Sequence, residues 1–259
     1  MTLRVLTWNI KTGGSGGRLD AVLALLRRER PDILALQELR GFPGGRMRDV
    51  ARALGMTPFL ARSVLGQPVA VLVRPPLRMV SWSALWWRLH HAAAVVVTPT
   101  AAGPVTVVST HLNPFSPSRR SREARRLVAR CRAARGPVLI AGDLNSLDPG
   151  TDHAERLARL PEHYRRRHLG PDGAADTRAI AEFEAGGLVD LWRVAGEGDG
   201  LTVPTTAGGG GEFSAAGMRL DYLLGTASIA AAATRVRVIR GDEAEYASDH
   251  YPVVVELAL

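Results

Sequence analysis

The chain of 259 residues contains one cysteine and one lysine. With Cys131 alone, no internal disulfide can form, so a disulfide-stapled fold is excluded. Cys131 lies in an arginine-rich helical stretch and has no partner that would suggest a zinc site or an activated nucleophile, so it reads as structural. No apolar run reaches about 18 residues, so no transmembrane helix is expected. The segment Met1-Thr2-Leu3-Arg4-Val5 leads straight into a strand and lacks the zones of a secretory signal. The expected compartment is the cytoplasm. No linker and no internal repeat interrupts residues 1–259, so one domain is expected, with a monomer as the default.

What is present is a core and a surplus of arginine. Hydrophobic residues make up 46% and charged residues 22%, which is enough to bury a core and too apolar for a disordered chain. The net charge is +8, and Lys11 is the sole lysine, so the positive charge is almost all guanidinium. Arginine grips phosphate bidentately, and a basic protein attracts polyanions. The same bias also suits a GC-rich genome, so charge adds only modestly to a nucleic-acid reading.

Leu3 to Trp8 reads as a buried strand, and Leu19, Val22, Leu23 and Leu26 recur at helical spacing. Pro31 stops that helix, and residues 33–36 form the next strand. Residues 46–54 read as a short helix, 69–73 as a strand, and 92–98 with 104–110 as a hairpin. A basic helix is predicted over 118–134, a buried strand over 138–141, and helices near 152–160 and 176–185. The last strands are placed at 220–224, 234–239 and 252–257. Short strands in hairpins, mixed with crossover helices, predict an α/β fold of two packed mixed β-sheets flanked by helices. Residues 13–17 read as a flexible loop and not a P-loop, because no Gly-Lys-Ser/Thr follows. The glycine-rich stretch 196–217 is either a mobile active-site loop or an idle surface loop.

Polar motifs sit at the ends of these apolar runs: Thr7-Trp8-Asn9, Leu36-Gln37-Glu38, Thr110-His111-Leu112-Asn113, Gly142-Asp143-Leu144-Asn145, Arg219-Leu220-Asp221-Tyr222 and Ser248-Asp249-His250. Each alone is weak and reads as an Asx turn or a solvated strand end. Together they supply the carboxylates, amides and histidines needed to hold a hard divalent cation and break a phosphate ester.

In this order the motifs resemble the endonuclease/exonuclease/phosphatase family, over residues 5–255. That superfamily includes abasic-site endonucleases, the pancreatic deoxyribonuclease, neutral sphingomyelinases and inositol polyphosphate 5-phosphatases. The resemblance implies a four-layered α/β sandwich and a Mg²⁺-dependent phosphoesterase, with Mn²⁺ as a substitute. It implies that Glu38 is the main metal ligand, with Asp249 near the metal, and that Asn9 orients Glu38 or bonds a phosphate oxygen. Asp143 would position the attacking water and Asn145 would bond the phosphate. Asp221 would pair with His250, which acts either as a base or as a transition-state cation. His111 would donate to a phosphate oxygen, and its Thr-His-Leu setting is closer to the phosphatase and sphingomyelinase branches. Asn113 either contacts substrate or makes a turn before Pro114. Arg119 heads an arginine block that either steers a phosphate-rich ligand or is a solvated helix face.

The remaining histidines, His90, His91, His153, His163 and His168, show no ligand spacing, and His153 and His163 read as surface residues. The Trp82, Trp86 and Trp87 cluster reads as an amphipathic segment packed on a sheet edge, ahead of a base-stacking or lipid-facing surface. Three functions stand. The first is a phosphodiesterase acting on nucleic acid. The second is a phosphatase or diesterase acting on a small metabolite or lipid head group. The third is a non-catalytic binding module.

Overall fold

The structure, a computed structural model, describes residues 2–64, 66–213 and 216–259. Among these, thirteen strands form two mixed sheets. The strands are β1 (Thr2–Asn9), β2 (Ile33–Gln37), β3 (Thr57–Ala61), β4 (Val69–Val73), β5 (Ser81–Leu85), β6 (Ala93–Thr100) and β7 (Gly103–His111). They continue as β8 (Val138–Asp143), β9 (Leu188–Asp190), β10 (Gly196–Glu197), β11 (Asp221–Thr226), β12 (Ala233–Val238) and β13 (Val253–Ala258). The first sheet has the order β10-β12-β13-β1-β2-β4-β3 and the second β5-β6-β7-β8-β11-β9.

Period-two alternation builds the layers. In β1, Leu3 and Val5 join the core between the sheets, while Leu6 and Trp8 face the outer helices. In β8, Leu139 and Ala141 enter the inter-sheet core, and Val138 and Ile140 face outward. The helices Leu19–Glu29 and Gly44–Leu54 cover the first sheet. The helices Pro117–Arg132 and Arg178–Ala185 cover the second. The result is the four-layered α/β sandwich, with two mixed sheets inside and helices outside.

Continuing the alternation past the apolar residues positions the site. Asn9 follows Leu3 and Val5 on the inter-sheet side of β1, Asp143 follows Leu139 and Ala141 in β8, and His111 follows Val105 and Val107 in β7. Register then aligns them: β7 pairs parallel with β8, placing His111 opposite Asp143, and β11 pairs antiparallel with β8, placing Asp221 opposite Asp143.

The structure corrects several local expectations. Trp82, Trp86 and Trp87 are 59%, 51% and 67% exposed, because β5 is an edge strand paired only with β6 and these side chains reach neither core. His153 is buried and its Nε2 lies 2.8 Å from the Asp148 carbonyl. Arg120 is wholly buried instead of solvated. Its guanidinium donates to the carbonyls of Asn113 and Arg167, and burial lowers its pKa to about 10. Residues 11–14 form a tight turn with left-handed Lys11 and Thr12 (φ 42° and 50°).

Candidate active site

Five strand ends, of β1, β2, β7, β8 and β11, and the segment before β13 converge at one end of the inter-sheet core. Asp143 is the hub. Its Oδ2 accepts from Asn9 Nδ2 at 2.9 Å and lies 3.3 Å from His111 Nε2 and 3.7 Å from His250 Nε2. Its Oδ1 accepts from the Asn145 amide nitrogen at 2.9 Å. Gly142 makes this hub possible, because a Cβ there would stand 1.9 Å from the Thr110 carbonyl oxygen on the neighbouring strand. Tyr222 donates to the Ser146 carbonyl at 2.9 Å, fastening the loop after Asp143 to β11.

His250 sits between two carboxylates. Its Nδ1 is 2.8 Å from Asp221 Oδ2, and its Nε2 faces Asp143. The imidazole is anchored through its backbone, since Trp8 Nε1 donates to the His250 carbonyl at 2.8 Å. Burial opposes a charge on this ring, but Asp221 and then Asp143 outweigh it, so its pKa is held well above the ordinary value. Burial pushes the Asp143 carboxyl up, against the pull of His111 and His250.

Glu38 occupies a different wall. Its Oε1 accepts from Asn9 Nδ2 at 3.1 Å and its Oε2 from the Thr12 amide at 3.0 Å. Burial would raise its pKa, but His111, the Thr12 N–H and Asn9 together hold it below the ordinary value. Glu38 therefore remains a carboxylate even when largely enclosed. Asp249 accepts from Lys11 Nζ at 3.2 Å and, at 3.3 Å, from Ser248 Oγ.

Two groups of donors could hold a cation. Among the described residues, Asp143, Asp221 and His250 each offer a ligand atom within 4.8 Å of the others. Asp221 Oδ1 is buried there with no hydrogen-bond partner. As it stands, however, this trio is an imidazole clasped by two carboxylates, and a metal would have to displace the proton that both carboxylates favour. Glu38, kept anionic and bordered by neutral amides, suits Mg²⁺ better, since that ion takes few carboxylates and keeps several waters. The oxygen-rich donor set fits a hard divalent cation.

His111 and Asn145 complete the polar floor, with Asn145 Nδ2 3.0 Å from His111 Nε2. Asn113 and Arg119 lie to one side. Asn113 Oδ1 accepts from the amides of Phe115 and Ser116, making the turn before the Pro117–Arg132 helix, and Arg119 lines a separate cavity beside that turn.

Two residues stand in the site without having been singled out for it by sequence. Lys11 ties Asp249 to the Gly208 carbonyl, with Nζ at 3.0 Å from the latter. Its sequence signal was that it is the only lysine and follows the Asn9 motif. His91 stacks on His111, with ring centroids 4.0 Å apart and planes 13° apart, and its Nδ1 accepts from the Gln67 amide. Burial, then the neighbouring His111, lowers its pKa, so His91 is a neutral support for His111. The glycine-rich segment also comes to the site rim: a Cβ on Gly208 would lie 1.7 Å from the Ser248 carbonyl and one on Gly209 would lie 2.2 Å from Lys11 Nζ.

Residues 6–250 match the model of the Endonuclease/Exonuclease/phosphatase family. The chain belongs to that family. Members of the endonuclease/exonuclease/phosphatase family are metal-dependent phosphoester hydrolases. The solved structures agree on the fold. A family protein from Bacteroides vulgatus superposes with a TM-score of 0.75 at 14% identity, covering 100% of this chain and 99% of that one. A family protein from Beutenbergia cavernae gives 0.70 at 22% identity, covering 100% of this chain and 72% of that one. D. rerio TDP2, in complex with a single-strand DNA product, gives 0.72 at 15% identity, covering 100% and 99%. No curated protein matches the chain by sequence. Among the described residues, no helix is long and apolar enough to cross a membrane.

Proposed function

We propose that this protein is a Mg²⁺-dependent phosphodiesterase that cleaves nucleic acid by in-line attack of water, with Mn²⁺ able to substitute. The observation that carries the reading is the line Asp221–His250–Asp143, with an imidazole 2.8 Å from one carboxylate and 3.7 Å from the other. Such a line fixes the orientation of the ring and aims Nε2 into the cleft. The net charge of +8 and the DNA product bound by the TDP2 relative support nucleic acid as the substrate class.

The residues divide the work. Glu38, with Asp249 nearby, would hold the cation, which when bound neutralises charge on the phosphate. Asp143, whose pKa burial raises, orients the water and takes its proton as the new oxygen–phosphorus bond forms, while the scissile phosphorus–oxygen bond on the opposite side breaks and its oxygen leaves to take a proton from solvent. Asp221 and Asp143 keep His250 protonated, so its Nε2–H donates to a phosphate oxygen as negative charge builds. Asn145 and His111 donate to the remaining oxygens, and Asn9 holds Glu38 and Asp143 in register.

The test is turnover of bis-p-nitrophenyl phosphate and of single-stranded and duplex oligonucleotides. Mg²⁺ or Mn²⁺ should support cleavage and EDTA should stop it reversibly. Inactivity on every diester with either metal would sink the proposal.

A further inference from the structure

One face of the Pro117–Arg132 helix is unexplained by the chemistry above. Its other face is buried through Ala124, Leu127 and Val128. Arg119, Arg122 and Arg126 follow at helical spacing on the free side and, with Arg125 and Arg88, line a cavity of about 810 Å³. That lies within the range of about 300–1,000 Å³ typical of ligand sites. The one carboxylate in the lining, Glu123, is already engaged by the amides of His90 (2.7 Å) and Asn113 (2.8 Å). Among the described residues, Arg88, Arg119, Arg122 and Arg126 have no carboxylate within 4.0 Å. A concentration of guanidinium with so few carboxylate partners in a concave site suits phosphate.

The cavity is joined to the catalytic centre by a run of rings. His111 stacks on His91, His91 meets His90 edge-on at 4.6 Å, and His90 meets Phe115 at 5.8 Å. His90 also lines the cavity. Phe115 is 59% exposed, with the Arg167 guanidinium 5.3 Å over its ring. An exposed ring beside a cationic groove is the arrangement that stacks bases while the backbone is held.

We propose that this arginine-lined cavity binds the backbone phosphates of a single strand of nucleic acid flanking the scissile bond, with a base stacked on Phe115. The inference rests on the phosphodiesterase reading and names where the rest of its substrate lies. A strand fits better than a membrane because the guanidiniums line a concavity, whereas a lipid surface calls for a convex or flat contact. The exposed Trp82 of the neighbouring edge strand, with Trp86 and Trp87 just after it, leaves a lipid surface as the competing outcome.

The test is the double variant Arg122→Ala/Arg126→Ala, with circular dichroism to establish that it folds. Binding of a labelled single-stranded oligonucleotide is followed by anisotropy in EDTA across a salt series. The variant should bind about tenfold more weakly or worse, as expected for lost charge-assisted contacts. The slope of log K against log salt should fall by about 1.4, at about 0.7 per phosphate contact on a single strand. In Mg²⁺, the ratio of kcat/KM on the oligonucleotide to that on bis-p-nitrophenyl phosphate should fall by a similar factor. An unchanged affinity, slope and ratio would overturn the cavity assignment while leaving the hydrolase reading standing. Loss of strand binding by a protein that turns over no diester would support the cavity and count against the hydrolase reading alone. Wild-type binding to phosphatidylinositol bisphosphate vesicles but not to the oligonucleotide, lost in the double variant, would overturn the proposal in favour of a lipid head group.

Discussion

Glu123 offers a stability switch whose size follows from its surroundings. The side chain is 4% exposed and both oxygens receive backbone amides, from His90 and Asn113. Burial raises its pKa from 4.5 to about 7, outweighing those amides and the nearby Arg120. The folded state therefore holds a proton there that the unfolded chain releases. Stability from this group is fully present below about pH 4.5 and is lost as pH rises to about 7. At about 1.4 kcal/mol for each pH unit, the loss amounts to about 3 kcal/mol. Glu123→Gln removes the titration. It also sets an amide NH₂ against one backbone N–H, a pH-independent cost of about 1–3 kcal/mol. Urea unfolding of both proteins in EDTA, from about pH 4.5 to about pH 8, separates the two effects. The wild type should lead at low pH, and its lead should shrink by about 3 kcal/mol as the pH rises. A lead that stays constant, or grows with pH, would refute the reasoning.

Asp221→Asn should lower kcat by about 10²–10⁴-fold, because His250 loses its proton-holding partner; kinetics like the wild type would remove the pair from the mechanism. Glu38→Gln should weaken Mn²⁺ binding, measured by electron paramagnetic resonance, by about tenfold or more, and an unchanged affinity would take the ligand role away from Glu38. Gly142→Ala should destabilise by about 3 kcal/mol or more, since its Cβ would meet the Thr110 carbonyl at 1.9 Å; a wild-type urea midpoint would show that β7 and β8 can part more easily than the packing implies.

The motifs were legible because each extends a strand whose alternation is already visible. Val5 and Asn9 share a face, as do Leu139 and Asp143, so apolar periodicity carried the polar residue to the right side of the sheet. The opposition of His111, Asp143 and Asp221 is a matter of register, which motif order could only suggest. Other features depend on distant packing that no local pattern encodes. Arg120 looks like its exposed arginine neighbours until the loop carrying Arg167 and Asp176 closes over it. The stacking of His91 on His111 rests on the pairing of β6 with β7. Trp82 matches a packed amphipathic pattern, but β5 is an edge strand, and among the described residues no further strand pairs with its free edge.

A lone lysine beside Asp249 concentrates the side-chain amine chemistry of the whole polypeptide at one address. An acylating reagent or an amine-directed fluorophore has a single side-chain target, and that target borders the catalytic cleft. A probe attached there would report on cleft occupancy without any engineered handle, and a lysine-specific endoprotease would find its only internal cut site in the same turn.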